Sequence, residues 1–318
     1  MSKVKFEDLL NAGVHFGHLK RKWNPAMAPY IFEEKKGIHI IDLNKTIAHI
    51  DSASAALKQI AKSGKKILFV ATKKQAKDII ASKVTEINMP FVTERWSGGM
   101  LTNFQTTRKS IRKMTSIDKM QTDGTWTTLN KRERLFKTRQ REKLEKNFGS
   151  IADMTRQPAA VFIVDIIKEH IALKEAKRLN IPTFAIVDTN SDPSLVDFPI
   201  PANDDASKSI SIILDEICGS IKLGLEERKS DKEADVKAAA DKKIAAEKQA
   251  EADLKVAAEK KAEKAAEAKA AKPVVSETPV EEVVEKAKAE KAAEAKAAKP
   301  VVSETPVEEV AEKAKEEK

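Results

Sequence analysis

Short apolar runs alternate with amphipathic segments along the first 228 residues. Four runs are almost continuously apolar and are bounded by turn-forming residues, as is typical of parallel strands buried on both faces. They are Ile67–Val70, Phe91–Val92, Val161–Val164 and Phe184–Val187. Apolar residues have helical spacing in the segments around them, Thr46–Ser63, Thr72–Val84, Lys168–Leu179 and Ala206–Leu223. This alternation predicts an open α/β fold with a parallel sheet and flanking helices.

One long segment, from about residue 104 to residue 148, interrupts the alternation. Its halves flank a turn signal, Asp123-Gly124, and each half carries apolar residues at helical intervals. They are Phe104, Ile111, Met114 and Ile117 in the first half, and Leu129, Phe136, Leu144 and Phe148 in the second. The two narrow stripes predict an inserted antiparallel hairpin of two helices, each burying its stripe against the other.

Positive charge is concentrated in the body of the chain, and above all in this hairpin. Residues 1–228 carry about 38 Lys and Arg against about 27 Asp and Glu, a net charge of about +11. Between Arg108 and Lys146 there are about 13 cations against about 5 acidic residues. This basic surface favours a polyanionic partner, and the hairpin resembles an arm that follows a nucleic-acid backbone.

Residues 229–318 form a tail of Ala, Lys, Glu and Val that differs from the body. Residues 262–288 recur at 289–315 with one change, Val284 to Ala311, and the tail has no aromatic residue. Because it has little apolar surface to bury, it is predicted to be an exposed appendage of transient helices, separate from the domain at 1–228. It is interpreted either as a solubilising spacer or as an arm that docks on another macromolecule.

Several classes of protein are disfavoured by composition. Cys218 is the only cysteine, which argues against a disulfide framework and against a multi-cysteine metal site. The N-terminal residues contain no apolar leader, and no run of about 18 apolar residues occurs, so neither a signal peptide nor a membrane span is predicted. The expectation is a cytoplasmic protein without a membrane partner.

A glycine-punctuated loop near the N-terminus, Gly13–Pro25, combines cations with histidines and an indole. Its cations are Lys20, Arg21 and Lys22. Cations neutralise phosphates and aromatic rings stack on unpaired bases, so the mixture favours binding to irregular RNA. Packing of Trp23 in the core is the alternative interpretation.

Acidic residues follow the predicted strands, and ligands of open α/β sheets bind at the carboxyl ends of the strands. If the N-terminal loop covers that edge, His18, Asp188 and Asp204 form a nitrogen and carboxylate site for zinc or magnesium, although no cofactor is required. In the alternative interpretation, the aspartates cap the helix that starts near Ala206 and shape the turn at Asp188–Pro193.

Patterns that carry catalysis are weak. The loop Arg95–Gly99 has paired glycines but lacks the spacing of a nucleotide-binding fingerprint, Asp165 follows a strand without an evident partner, and Cys218 lies among apolar residues. The sequence therefore predicts that the protein is not an enzyme. The alternatives are a metal-dependent enzyme on the same sheet, using His18, Asp188 and Asp204, and a scaffold whose tail recruits partners.

Several longer motifs occur in order across about residues 5–225. They are Gly13–His18, Trp23–Met27, Tyr30–Phe32, Gly37–Thr46, Arg95–Phe104, Ile181–Pro182, Ala185–Pro193 and Ile200–Ala206. Together they resemble the family of ribosomal protein two of the small subunit, in its bacterial form. The repeated tail is not part of the common pattern of that family.

The resemblance implies a flavodoxin-like (Rossmann-like) parallel sheet, a protruding coiled-coil hairpin and no catalytic activity. It also implies a place between the head and body of the small ribosomal subunit, where such a protein supports translation. The implied partners are small-subunit ribosomal RNA and other small-subunit proteins, including ribosomal protein one. The candidate RNA contacts are the cations Lys20, Arg21, Lys22, Arg95, Arg108, Lys109, Arg112, Lys113, Lys131, Arg132 and Arg134.

Overall fold

The computed structural model describes residues 5–234, so the tail from residue 235 onward, with both interpretations of it, lies outside the described residues. The helices are α1 (Phe6–Asn11), α2 (Leu43–Lys62), α3 (Lys74–Glu86), α4 (Phe104–Thr122), α5 (Lys131–Phe148), α6 (His170–Arg178) and α7 (residues 207–234). The strands are β1 (Phe16–Leu19), β2 (Ile31–Lys35), β3 (Ile38–Ile41), β4 (Ile67–Val70), β5 (Phe91–Val92), β6 (Ala160–Val164), β7 (Thr183–Val187) and β8 (Phe198–Pro201). The last helix extends well beyond its predicted end at residue 223 and passes residue 228, the predicted end of the domain.

Five parallel strands form the central sheet in the order β5-β4-β6-β7-β8, which confirms the predicted α/β fold. One phenylalanine from each strand lies in register across the sheet: Phe91, Phe69, Phe162, Phe184 and Phe198. Of these five strands, β4 comes first along the chain, and it has β5 on one side and β6 on the other. The strand order therefore reverses at β4. The crevice between the carboxyl ends of β4 and β6 is therefore where a fold of this kind binds ligands.

Both faces of the sheet are buried, which explains why its strands are almost continuously apolar. Ile67 and Phe69 of β4 point into a core shared with α1, α2, α3 and α7. Leu68 and Val70 point into a second core, formed with α6, the loop around Trp96 and the base of α4. The successive residues of one strand thus anchor helices on opposite sides.

Four strands were not expected from the sequence pattern. The strands β1, β2 and β3 form a small antiparallel sheet in the order β1-β3-β2, and β8 is an edge strand of the central sheet. The strand β8 carries Pro199 and Pro201, which lack backbone donors and are tolerated at a sheet edge. The strand β2 exposes Phe32 and three charged residues, so it shows no apolar alternation.

The helices α4 and α5 form the predicted hairpin, and Leu129, Leu144 and Phe148 of the second predicted stripe are half-buried, but the prediction is wrong for Phe136. In α4, Ile111, Met114 and Ile117 are buried as expected, whereas α5 has no buried residue. Phe136, expected between the helices, is 68% exposed. The side of α5 that contacts α4 instead carries Arg141, which pairs with Asp118.

No helix within residues 5–234 combines the length and the apolar content that are needed to cross a membrane.

Candidate functional site

The N-terminal loop lies against the carboxyl edge of the central sheet, as the metal-site hypothesis requires. Thr189, just after β7, holds it there: its hydroxyl accepts a hydrogen bond from the backbone N–H of His18 at 2.8 Å, and its carbonyl accepts one from that of Asn24, also at 2.8 Å. A Cβ atom at Gly17 would lie 2.6 Å from the Thr189 methyl group. Glycine is therefore the residue that permits this approach.

Four aspartates meet at this edge, each placed there by the end of a strand. Asp165 follows β6, Asp188 follows β7, and Asp204 and Asp205 follow β8. Lys73, which follows β4, lies among them. The four aspartates, Lys73 and His18 are called the acidic cluster below.

Lys73 is the cation that three carboxylates of the acidic cluster share. Its Nζ lies 2.6 Å from an oxygen of Asp205, 2.9 Å from one of Asp204 and 3.3 Å from one of Asp165. Burial would lower the pKa of Lys73, but hydrogen bonds to Asp205 and Asp204 raise it above its ordinary value. Lys73 therefore stays charged, and one positive charge faces four aspartates.

Asp204 is the aspartate whose pKa this excess of negative charge raises most. Its side chain is fully buried, and Oδ2 has no hydrogen-bond partner among the described residues. Burial, followed by the charges of Asp188 and Asp165, raises the pKa of Asp204 to about 7 although Lys73 opposes the shift. A buried carboxylate oxygen without a partner is costly, so this oxygen is suited to a proton or a cation.

His18, in the N-terminal loop, contacts two aspartates of the acidic cluster. Its Nδ1 lies 2.8 Å from Asp188 and its Nε2 lies 3.4 Å from Asp205. The hydrogen bond to Asp188 raises the pKa of His18, and the charges of Asp188, Asp204 and Asp205 add to that effect against desolvation. One ligand atom each of His18, Asp188 and Asp204 lie within 4.8 Å of one another.

The structure thus brings the three predicted metal ligands together, and other residues do the capping assigned to these aspartates in the alternative interpretation. Asn203 accepts hydrogen bonds from the backbone N–H groups of Asp205 and Ala206, ahead of α7. The turn after β7 is shaped by two aspartates, since Asp192 accepts from the backbone and hydroxyl of Ser194 and Asp188 accepts from those of Thr189. Sequence reasoning missed Lys73, although it follows a strand at the expected edge.

Asp165 has three partners that its sequence position did not reveal. One carboxylate oxygen pairs with Lys73, and the other accepts hydrogen bonds from the backbone N–H groups of Ile167 and Lys168 at 3.0 and 3.2 Å. These contacts give Asp165 a structural role in the turn after β6.

The crevice between β4 and β6 is filled by the protein's own side chains. The carboxylate of Glu169 accepts a hydrogen bond from the backbone N–H of Thr72 at 3.0 Å and another from its hydroxyl. The ammonium group of Lys168 donates to the carbonyl of Thr72 at 3.1 Å. A carboxylate therefore occupies the place beside α3 where ligand-binding members of this fold class hold a phosphate.

The glycine-containing loop around Trp96 also binds a carboxylate of the protein itself. Glu175 of α6 accepts hydrogen bonds from the Trp96 indole, the backbone N–H groups of Gly99, Leu101 and Thr102, and the Thr102 hydroxyl, at 2.7–3.3 Å. Trp96 is buried, and the loop leads directly into α4. Glu175, which sequence reasoning missed, thus fixes the base of the hairpin.

The candidate RNA contacts differ in what their side chains touch. Most are exposed and form no ion pair within residues 5–234: Arg21, Lys22, Arg95, Lys109, Arg112, Lys113, Lys131 and Arg132, with Arg108 half-buried. Lys20 is exposed but pairs with Glu34 at 2.6 Å. Arg134 donates to the carbonyls of Leu129 and Thr127 and so helps to form the tip of the hairpin.

The aromatic residues of the N-terminal loop divide between packing and exposure. Trp23 is half-buried, with its ring 5.1 Å from the ring of His39, whose side chain is buried. Phe16 is 50% exposed and contacts the ring of His15 at 4.0 Å. The packing interpretation therefore accounts for much of Trp23, and Phe16 is the more accessible ring.

These features define a flavodoxin-like α/β domain with an inserted, strongly basic helical hairpin. The chain belongs to the family described as ribosomal protein S2, whose sequence model matches residues 9–224. Membership of this family implies a structural, non-enzymatic protein, and no observation on residues 5–234 favours the metal-dependent enzyme.

Curated relatives carry the name small ribosomal subunit protein uS2. The relative from Phocaeicola vulgatus is 66% identical over 241 residues, which cover 76% of this chain and 86% of the relative. The relative from Azobacteroides pseudotrichonymphae is 68% identical over 231 residues, covering 73% and 88%. The relative from Porphyromonas gingivalis is 63% identical over 232 residues, covering 73% and 83%.

Proposed function

We propose that this protein is a structural constituent of the small ribosomal subunit that binds small-subunit ribosomal RNA through its helical hairpin and supports translation without catalysing a reaction. The observation that carries the proposal is the hairpin itself, a thin projection with about 13 cations against about 5 acidic residues. Family membership supports the ribosomal location, in the cytoplasm at the junction of head and body.

The face of α4 that is turned away from the core supports phosphate binding. Lys109, Arg112 and Lys113 are exposed there, and Ile111 and Met114 on the opposite side are buried. Because Ile111 belongs to the second core, the cations are held by a helix whose base is fixed to the domain. Pre-positioned cations lose less conformational freedom on binding than cations of a flexible segment.

The salt dependence of binding tests this proposal. We expect a variant with Lys109, Arg112 and Lys113 all changed to glutamine to bind small ribosomal subunits less tightly. The slope of log K against log salt should decrease in magnitude by about 2–3, since each lost phosphate contact removes about 0.7–0.9. Binding of the full chain is measured by sedimentation with Phocaeicola vulgatus small subunits that have been depleted of their own uS2, between about 50 and 200 mM salt.

A control with the same loss of charge separates local contacts from general attraction. Lys208, Lys222 and Lys229 are exposed on α7, and changing them to glutamine should leave the slope within about 1 of the original protein. Equal slopes for the original protein and the α4 variant would contradict the assignment of the hairpin.

We also propose that the protein contacts other small-subunit proteins, including ribosomal protein one. Support for this partner comes from the family resemblance. Cross-linking of assembled small subunits followed by mass spectrometry tests it, and the expected result is a set of cross-links between this chain and ribosomal protein one. Cross-links to other proteins only would contradict this partner.

We further propose that His18, Asp188 and Asp204 bind a zinc ion that stabilises the edge of the sheet. The supporting observation is the buried Oδ2 of Asp204, which has no partner in residues 5–234 and lies beside two further potential ligands. One nitrogen and carboxylate oxygens suit zinc better than magnesium, which prefers oxygen ligands throughout. A dication would also offset the negative charge that Lys73 leaves unbalanced.

Zinc affinity is expected to rise between pH 6 and pH 8. Bound zinc requires a neutral His18 and an ionised Asp204, and the pKa of His18 is raised while that of Asp204 is about 7. Protons therefore compete with zinc below pH 7, and the competition is lost as the pH rises through these values. Isothermal titration of the full chain with zinc chloride at several pH values measures the effect.

Asparagine substitutions separate the proposed ligand from a neighbouring aspartate. Asp204→Asn should weaken zinc binding by about a hundredfold or more, whereas Asp192→Asn, in the nearby turn, should leave it unchanged. Zinc affinity that is independent of pH, or that is equal in the two variants, would contradict the site. A parallel titration with magnesium chloride is expected to show much weaker binding.

A further inference from the structure

An exposed stripe of α5 combines four cations with one aromatic residue. The stripe consists of Arg132, Phe136, Arg139, Lys143 and Lys146. Their spacing of four, three, four and three residues places them on one face of an α-helix, and all five are exposed. We call this face the α5 stripe.

The α5 stripe faces away from the partner helix of the hairpin. The opposite side of α5 contacts α4, where Arg141 pairs with Asp118 and the ammonium group of Lys137 lies 3.4 Å from the sulfur of Met120. The acidic residues Glu142 and Glu145 lie outside the stripe, and Glu145 is paired with Arg141 at 2.7 Å. The charged residues of the stripe itself are therefore all cations.

Phe136 has no structural role in the hairpin that would account for it. It is 68% exposed, and α5 buries none of its residues. Within residues 5–234, neighbouring Arg132, Arg139 and Lys143 form no ion pair, while Lys146 lies 3.5 Å from Glu94. An exposed ring between free cations is poorly suited to an apolar protein surface and well suited to a polyanion that has aromatic faces.

We propose that the α5 stripe binds unpaired nucleotides of small-subunit ribosomal RNA, with Phe136 stacked on a base. Arg132 lies about 6 Å before Phe136 along the helix axis and Arg139 about 4.5 Å after it, so cations flank the ring on both sides. These cations neutralise the phosphates on either side of the stacked nucleotide. A base in a duplex has no free face, so the stripe selects a loop, a bulge or a strand end.

This inference rests on the proposed function, and it assigns to α5 a different kind of contact from that of α4. Binding by α4 depends on charge alone, whereas binding by the α5 stripe has a stacking contribution that salt does not screen. The two contributions can therefore be separated by one experiment carried out at several salt concentrations.

Three substitutions of Phe136 test the stacking contribution with the depleted small subunits described above. Phe136→Ala should weaken binding about tenfold, Phe136→Trp should retain it, and Phe136→Leu should resemble alanine because a leucine has no ring to stack. The slope of log K against log salt should be the same for all three. Arg139→Gln is the charge control, and it should reduce the magnitude of that slope by about 0.7.

Each outcome of this comparison is informative. Full binding by Phe136→Ala, or full rescue by leucine, would overturn the stacking proposal while leaving ribosomal RNA binding intact. If the unaltered chain does not bind the small subunits, the proposed function fails and so does the inference. Since Phe136 is mostly exposed, the thermal unfolding midpoints of the variants should match that of the original protein, which excludes misfolding as the cause.

Ultraviolet cross-linking of the assembled subunit identifies what lies against the ring. We expect mass spectrometry to find a nucleotide attached to the peptide that contains Phe136. A cross-link from this peptide to a ribosomal protein instead of a nucleotide would overturn the proposal and show that the stripe is a protein interface.

Discussion

Replacing Glu175 by alanine should destabilise the protein by about 3–5 kcal/mol, because several buried donors lose their only acceptor. The carboxylate accepts hydrogen bonds from Trp96, Gly99, Leu101 and Thr102, and two of these bonds, from the Trp96 indole and the Leu101 N–H, are buried. Each buried donor left without a partner costs about 1–3 kcal/mol. Urea unfolding followed by circular dichroism measures the change in the free energy of unfolding.

Lys174→Ala is the matched control for Glu175→Ala. Lys174 is the preceding residue of α6 and is exposed, so its replacement should change the free energy of unfolding by less than about 0.5 kcal/mol. Because Glu175 holds the loop that leads into α4, Glu175→Ala should also weaken binding to small subunits. Equal stability of the two variants would show that the loop keeps its conformation without the carboxylate.

The contribution of Glu175 should depend on pH in a defined direction. Burial alone would raise the pKa of Glu175, but the hydrogen bonds from Gly99, Leu101 and Trp96 outweigh it and lower the pKa below 4.5. The stabilisation is therefore present above pH 4.5 and is lost as the pH falls through the lower, folded-state value. The difference in stability between the original protein and Glu175→Ala should shrink in that range.

Replacing Gly224 by alanine should destabilise the protein by about 3 kcal/mol, since the helices α2 and α7 approach too closely for a methyl group. A Cβ atom at this position would lie 2.5 Å from the carbonyl oxygen of Lys58 and 3.2 Å from the Cβ atom of Ala61. The first of these is a backbone atom of α2, so it cannot move aside without moving the helix.

Gly219→Ala is the same substitution in the same helix, but it is expected to change the free energy of unfolding in the opposite direction. A Cβ atom there meets nothing within 4 Å, so Gly219→Ala should stabilise the protein by about 0.5–1 kcal/mol through helix propensity. Thermal unfolding of both variants measures the contrast. A loss of stability in both, or a gain in both, would contradict the close packing of α2 against α7.

The sequence predicted the central sheet because its strands are buried on both faces. Runs such as Ile67–Val70 and Phe184–Val187 are apolar at every position, and their shortness and the turn-forming residues around them favour a buried strand over a buried helix. The edge strand β8 could not be found in this way, since Pro199 and Pro201 interrupt its pattern and are tolerated only because of the strand's place in the sheet. Position in a sheet is a tertiary property that periodicity does not contain.

The candidate site was predictable in part for a similar reason. The sequence groups His18, Asp188 and Asp204 because the strands end at one edge of the sheet. It does not single out Lys73, the cation at the centre of the cluster, since a lysine after a strand is common in any basic chain. The prediction that Phe136 is buried was wrong because it lies seven residues after Leu129 and eight before Leu144. Intervals of this length do not place all three residues on one narrow face of a helix. The ion pair of Arg141 with Asp118 of α4 shows which face of α5 meets α4, and this tertiary contact cannot be read from the spacing of apolar residues.

The order of strands in the central sheet has a consequence for how the protein folds while it is being synthesised on a ribosome. The strands β4, β5, β6 and β7 are synthesised before the edge strand β8, and α7, which covers the apolar side of α2, emerges last within residues 5–234. A nascent chain that ends before β8 therefore exposes the cleft that α7 later fills.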